Sequence, residues 1–399
     1  MTALPANVEA LLRRGVNMPA PHTVEVAPDV KPDRIAPTAV IHAGCRIRGA
    51  ETAIGQDCVI GSESPATVED CQLGAGVTLA GGFFSGATFL DGVTFGSSGH
   101  VRPGTLLEEQ ASCAHSVGLK QTLLMPFVVT GSLVNFCDCL MAGGTCRKNH
   151  SEVGSSYVHF NFTPHGDKAT ASLIGDVPRG VLLNEAPIFL GGQGGLVGPA
   201  RIAYGTVIAA GTVWRRDISE PGQLVMAGGG HASRSIQYDP TKFADMNRVV
   251  ANNMRYIGNL HALLLWYRHV RAPFFGVEPT RRLVFDGAVR QLNAMLSERL
   301  KRLDELVAKL REANSGRSPT EQPEFNRGIT AKWPAIVETL RGKIGMDHAT
   351  ALRDRFLQGL DSFGGTAGYV AFIQRLPPVA KASATGWLQA EVDAITTGS

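Results

Sequence analysis

Ala87–Met125 reads ATFLDGVTFGSSGHVRPGTLLEEQASCAHSVGLKQTLLM, and its spacing decides the fold. Phe89, Phe95, Val101, Leu107, Cys113, Leu119 and Met125 fall six apart. Two residues ahead of most of them stands a small or β-branched residue: Ala87, Val93, Gly99, Thr105, Ala111 and Val117. A period of six fits neither an amphipathic helix nor an alternating strand, but it fits the hexapeptide β-helix, where each apolar residue stacks on the coil below. Few reaction classes use that architecture.

The series extends outward from this stretch. Ile35, Ile41 and Ile47 precede it, and Leu190, Leu196, Ile202, Ile208 and Trp214 follow. Glycine stands directly after several of the rungs, as in Ile54-Gly55, Leu73-Gly74 and Ile174-Gly175, where its conformational freedom suits a tight corner. The pattern predicts a left-handed parallel β-helix over residues 35–218, with about ten coils of three six-residue faces. Residues 1–34 read as a leader with a helical turn near Val8–Arg14. Residues 219–240 read as a linker ending at an Asp239-Pro240 helix start, and 241–399 as an α-helical domain. Within that domain one helix should run from Thr241 to Ala272 and stop at Pro273. A second should carry Leu292, Leu296, Leu303 and Leu310, and a loop should span Ser315–Pro323. Further helices should fill 329–395. Trp266, Tyr267, Arg268, His269 and Arg271 read as core packing plus solvated charge.

Composition narrows the functions. The 399 residues carry a net charge of +3, which gives no electrostatic argument for a nucleic-acid or membrane partner. The N-terminus lacks the pattern of a secretory signal, and no stretch reaches the roughly 18 apolar residues of a membrane span, so a cytoplasmic protein is expected. Of seven cysteines, Cys45, Cys58 and Cys71 each stand two residues before a rung, as inward free thiols would. Cys137, Cys139, Cys146 and His150 have zinc-ligand chemistry but match no compact zinc module, and no tightly bound metal is expected.

The period fails near Ser62–Glu69 and again between Lys148 and Ala186, where loops should leave the prism. Five of the eleven histidines lie between residues 100 and 165. A flat prism face also invites self-association.

Several motifs resemble, in order and spacing, the acetyltransferase domain of the bifunctional glucosamine-1-phosphate acetyltransferase/N-acetylglucosamine-1-phosphate uridyltransferase family. These are Val101-Arg102-Pro103-Gly104 with Lys120 eighteen residues after the arginine, Asn161-Phe162, Lys168, Leu173-Ile174-Gly175-Asp176, and the closing coils Phe189–Asp217. The resemblance implies acetyl-CoA or another acyl-CoA as co-substrate, a sugar phosphate or nucleotide sugar as acceptor, and a homotrimer. It implies that Arg102, Lys120 and Lys168 bind phosphate, that Asn161 and Phe162 contact the acceptor, and that Ala209 and Ala210 border the acyl carrier. Independently of the resemblance, eighteen residues make one coil, so Arg102 and Lys120 should stack on one face in successive coils. Paired cations there suit a phosphate.

The sequence also departs from that family. Its base is a histidine, and the aligned stretch Val134–Cys139 has phenylalanine at that place, leaving His115, His150, His159 and His165 as candidate bases. The uridyltransferase half needs a Rossmann-like domain that nothing before Ile35 supplies, so nucleotidyl transfer is not expected. Three readings remain open: an N-acyltransferase, a zinc carbonic-anhydrase-like enzyme using His115, His150 and His159, and a non-catalytic sugar-nucleotide-binding or assembly protein.

Overall fold

A computed structural model describes residues 3–226, 237, 239, 242–315, 322–360 and 368–397. Short parallel strands wind into a β-solenoid of about eleven turns, from Glu25–Val26 to Leu224–Val225, wider than the 35–218 read from the hexads. A helix, α1 (Ala6–Arg14), packs beside the first coils, longer than the single turn expected.

Three interior ladders run the length of the prism. On the first face Ile47, Val68, Phe84, Val101 and Leu119 stack rung on rung. On the second, Ile41, Ile60, Leu79, Phe95 and Cys113 do so. The third carries Ile54, Leu73, Phe89, Leu107, Leu124 and Met141. The expected rung Met125 is displaced: Leu124 pairs with Leu107, because Gln121 adopts a left-handed conformation (φ 49°) and the chain turns the corner early. Cys45, Cys58 and Cys71 are fully buried, and all seven cysteines are unpaired thiols.

The first stretch where the period fails does not give the extruded loop expected: Ala66–Glu69 is a strand of the first face with Val68 in its ladder, and the extra residues only lengthen the corner before it. The second stretch does give loops. Gly144–Cys146 and Asn149–His150 form a small antiparallel hairpin. Residues 161–171 leave the first-to-third-face corner, and α2 (Val177–Gly180) follows the next strand.

The outward side of the third face is not solvent-exposed. Leu106, Leu123, Leu140 and Leu173 form a second, outer ladder, each at most 4% exposed. The helices α3 (Asn247–Trp266), α4 (Ala272–Phe275) and α5 (Pro279–Asn314) lie over this side, with α6 (Glu324–Lys343), α7 (Thr350–Leu360), α8 (Tyr369–Arg375) and α9 (Pro378–Thr396) completing the module. Burying four leucines at roughly 1.5–3 kcal/mol each holds module to prism. Pro273 does not end the third helix as expected. A π-helical turn at Tyr267–Arg271 carries the helix without a break into α4, and Pro273 follows directly on that widened turn. The second expected helix is longer, the full α5. Trp266 and Tyr267 are core residues, but Arg271 is not the solvated charge expected: it is buried and paired with Glu108 and Glu109. Pro240, most of the linker and most of the 315–323 loop lie outside the described residues. Among the described residues, no helix is long and apolar enough to cross a membrane.

Candidate functional site

Arg102 and Lys120 occupy successive rungs of the first-to-third-face corner. Val101 pairs with Leu119, and the Arg102 N–H donates to the Leu119 carbonyl at 2.9 Å, which puts the two side chains side by side. The next rung continues the column, since Lys120 pairs with Cys137 and Arg102 Nη2 stands 3.9 Å from Cys137 Sγ. Among the described residues neither cation has a carboxylate in ion-pair range. Burial, then Asp138, push the Cys137 thiol up, and the two cations pull it back only partly, so it stays protonated at neutral pH.

Asp138 turns the corner in a left-handed conformation (φ 62°), and its carboxylate points into the seam with the helical module. Arg299 of α5, 1% exposed, donates to one oxygen, and Asn161 Nδ2 reaches the other at 3.4 Å. Asn161 thus spends its amide N–H on Asp138 and leaves its carbonyl oxygen to accept a hydrogen bond. The loop beyond it is tied to the module as well: Lys309 Nζ donates to the His165 carbonyl at 2.9 Å, and the His165 ring stacks on Phe243 at 4.2 Å. Phe162 is 64% exposed, and Lys168, further along the same loop, is exposed as well.

The four candidate histidines do not converge. His115 lies at the second-to-first-face corner, hydrogen-bonded with Ser132 Oγ at 2.9 Å. His150 lies on the hairpin at the third-to-second-face corner, its Nδ1 3.0 Å from the Arg147 carbonyl and its Nε2 3.6 Å from Glu152. His165 is stacked under the module. His159 sits nearest the cation corner, yet it belongs to the interior ladder, pairing with Leu196 and 3% exposed. Its Nε2 meets Ser172 Oγ at 2.8 Å. Burial pushes its imidazole down to about 4, with the Cys137 backbone opposing and Arg299 reinforcing, so the ring is neutral. Phe136 is also interior, edge-on to Tyr157. Ala209 and Ala210 follow Val207–Ile208 at the second-to-first-face corner, several rungs from Arg102.

Neither zinc set assembles. Among the described residues the one cluster in metal-binding range is His261, His348 and Glu391, inside the helical module. Its geometry suits a structural brace. Gly345 N–H donates to His261 Nδ1 at 3.0 Å, which leaves the proton on Nε2, facing Glu391 at 3.1 Å. Burial pushes the Glu391 carboxyl up, but His261 and the N–H groups of Ala349 and His348 outweigh it and hold it below the usual range, at the start of α7.

Asp138 and Arg299 escaped the sequence reading, although both carried a signal. Asp138 is a lone charge inside the buried run Phe136–Met141, and Arg299 occupies the apolar stripe of α5 between Leu296 and Leu303. A charge on an apolar stripe asks for a buried partner.

No protein-family model matches the chain. It is similar to the bifunctional protein GlmU of Geotalea uraniireducens, 29% identical over 220 residues, covering 55% of this chain and 43% of that protein. It is also similar to GlmU of Nocardia farcinica, 29% identical over 222 residues (56% and 40%), and of Thermotoga petrophila, 26% identical over 212 residues (53% and 42%). The chain spans less than half the length of these relatives. With the solenoid, the similarity supports a broad relation to the hexapeptide, acyltransferase-like β-helix proteins.

Proposed function

We propose that the chain is a hexapeptide acyltransferase that moves an acyl group, most simply acetyl, from acyl-CoA to the amine of a sugar phosphate or nucleotide sugar. The observation that carries this reading is the Arg102–Lys120 pair, two cations on adjacent rungs with no carboxylate in ion-pair range among the described residues, in a chain similar to GlmU. Phosphate bridges such a pair well, since the guanidinium offers a planar fork and the ammonium a point charge. Lys168 adds a third contact from the loop, Phe162 covers the sugar, and the free Asn161 oxygen accepts an N–H of the acceptor amine. Ala209 and Ala210 leave room for the pantetheine arm. They sit at another corner and several rungs away, so one chain cannot join donor to acceptor. A homotrimer, with each site shared between neighbouring prisms, resolves that separation.

The acceptor nitrogen attacks the thioester carbonyl, the C–N bond forms, the C–S bond breaks, and the departing thiolate takes up the proton that the amine gives off. With Phe136 and His159 both turned inward, no side chain need act as base. Positioning of an already activated thioester carries the rate. Turnover should therefore climb with pH through the amine's own pKa, without an inflection near that of histidine.

The same inward Phe136 favours a second reading, a binding or assembly protein that keeps the cations without turnover. One experiment separates them: thiol release from acetyl-CoA with a panel of amino sugar phosphates, run beside calorimetric binding of the same compounds. Turnover that is lost in Arg102→Ala/Lys120→Ala supports the enzyme. Binding lost in that variant, with no turnover in the parent, supports the binder. Absence of both refutes the phosphate site.

A further inference from the structure

The outer ladder of the third face ends abruptly. After Leu106, Leu123, Leu140 and Leu173 the next rung is Arg201, paired with Leu173, four coils beyond the rung of Arg102. There the cover of helices opens into a cleft of about 280 Å³ between the late coils, α2, α3 and α9. Three guanidinium groups line it from three separate elements: Arg179 on α2, Arg201 on the prism and Arg255 on α3.

Their charges are incompletely answered. Arg179 is satisfied, paired with Asp176 and laid over the Tyr204 ring at 4.8 Å, which fixes its position. Arg201 reaches Asp217 only at 3.7 Å, and its Nε is buried without a hydrogen-bond partner. That carboxylate is heavily shared: it also takes the Arg201 backbone N–H, the Asn252 amide at 3.0 Å and Arg248 at 3.6 Å. Arg255 has no ion pair among the described residues. It lies close enough to Arg201 that its like charge, after burial, lowers the Arg201 pKa, with Asp217 opposing. Of the other acids lining the cleft, Asp176 is held by Arg179 and Asp393 accepts the Gln389 amide. An arginine kept beside a second arginine, with a buried donor unmet, is unfavourable unless an anion completes the site.

We propose that this cleft binds a phosphate group, bridged between Arg201 and Arg255 and flanked by the fixed Arg179. The site is separate from the Arg102–Lys120 corner and does not depend on the function assigned to that corner. Forked guanidinium donors on two sides match tetrahedral oxygens better than a single carboxylate.

The test uses the full chain carrying Arg102→Ala/Lys120→Ala, so that the first corner cannot contribute. Inorganic phosphate is titrated calorimetrically and by thermal shift at constant ionic strength, with chloride as control. One phosphate per chain is expected, weakened at least tenfold by Arg255→Ala and less by Arg255→Lys. Arg255 lies on an exposed part of α3, so its removal should leave the circular dichroism spectrum unchanged, and Arg201→Gln provides an independent variant. A parallel titration with glucose 1-phosphate separates sources: tighter binding than free phosphate assigns an ester as the ligand, and weaker binding assigns the free anion. No phosphate binding in the Arg102/Lys120 background, or binding indifferent to Arg255→Ala, overturns the proposal.

Discussion

Arg299 Nη2 lies 2.5 Å from Asp138 Oδ1, joining the helical module to the corner that carries Arg102, Lys120 and Cys137. Both side chains are almost wholly buried, and burial pushes the Asp138 carboxyl up despite the arginine. Arg299→Met strands that carboxylate, and a broken buried pair costs about 3–5 kcal/mol. The double variant Asp138→Asn/Arg299→Met should recover most of the loss, giving a large coupling in a thermodynamic cycle. The deficit of Arg299→Met should also shrink as pH falls, because a protonated Asp138 no longer needs the cation. Urea unfolding at pH 5 and pH 8 reads both effects. Hydrogen exchange across residues 158–168 should rise in the single variant, since Asn161 hangs from the same carboxylate.

Glu108 makes the seam pH-sensitive elsewhere. It is buried against Arg271, Glu109, Tyr267 and Tyr369, two carboxylates sharing one guanidinium. Burial lifts it to about 7, with Arg271 opposing and Glu109 adding to the rise. A folded-state pKa above the unfolded one means the native state holds the extra proton. This contribution to stability is therefore full below the ordinary carboxylate range and lost as pH rises through about 7. Glu108→Gln should flatten the fall in Tm between pH 5 and 8 and raise Tm at pH 8. The underlying effect is on the order of 3 kcal/mol. An unchanged pH profile would show that Glu108 is not the group responsible.

Thiol reactivity should single out Cys146. It sits on the exposed hairpin, and the Lys148 backbone N–H and the Thr145 hydroxyl lower its pKa. Cys58, Cys71 and Cys113 are pushed up to about 12 by burial. Ellman's reagent should titrate one fast thiol in the native protein and the remaining six only on unfolding. Cys146→Ser should abolish the fast phase.

How far the sequence reaches is visible in these residues. The hexads specify the three interior ladders because each rung repeats one requirement, an apolar side chain facing inward. The eighteen-residue spacing likewise aligned Arg102 with Lys120, since a regular coil converts sequence distance into height. His159 was unreadable for a related reason. Within an interrupted period, nothing in the sequence says whether a histidine continues the inner ladder or leaves it. The pairings across the seam, Asp138 with Arg299 and Glu108 with Arg271, were not legible, because a charge on an apolar stripe asks for a partner without naming it and single contacts between distant segments carry no period. The outer ladder Leu106–Leu123–Leu140–Leu173 did carry a signal, since each leucine stands directly before an interior rung (Leu107, Leu124, Met141, Ile174), and such apolar doublets mark a strand buried on both faces.

Gly287 tests how closely α5 is seated on that face. A methyl group there would come 2.3 Å from Gln72 Oε1 and 2.8 Å from Thr88 Oγ1. Neither can retreat cheaply. Gln72 donates to the Glu51 carbonyl at 2.8 Å and to the Asp70 carbonyl at 3.2 Å, and its Oε1 accepts from Thr88 at 2.9 Å. In an exposed helix, glycine to alanine stabilises by about 1 kcal/mol. Here the gain should be outweighed, because the methyl either breaks this buried network or lifts α5 from the prism, at a cost of roughly 1–3 kcal/mol. Gly287→Ala should therefore lower Tm, whereas the same change at Gly328, which faces open space in α6, should raise it slightly. If both variants are stabilised, α5 does not lie this close to Gln72.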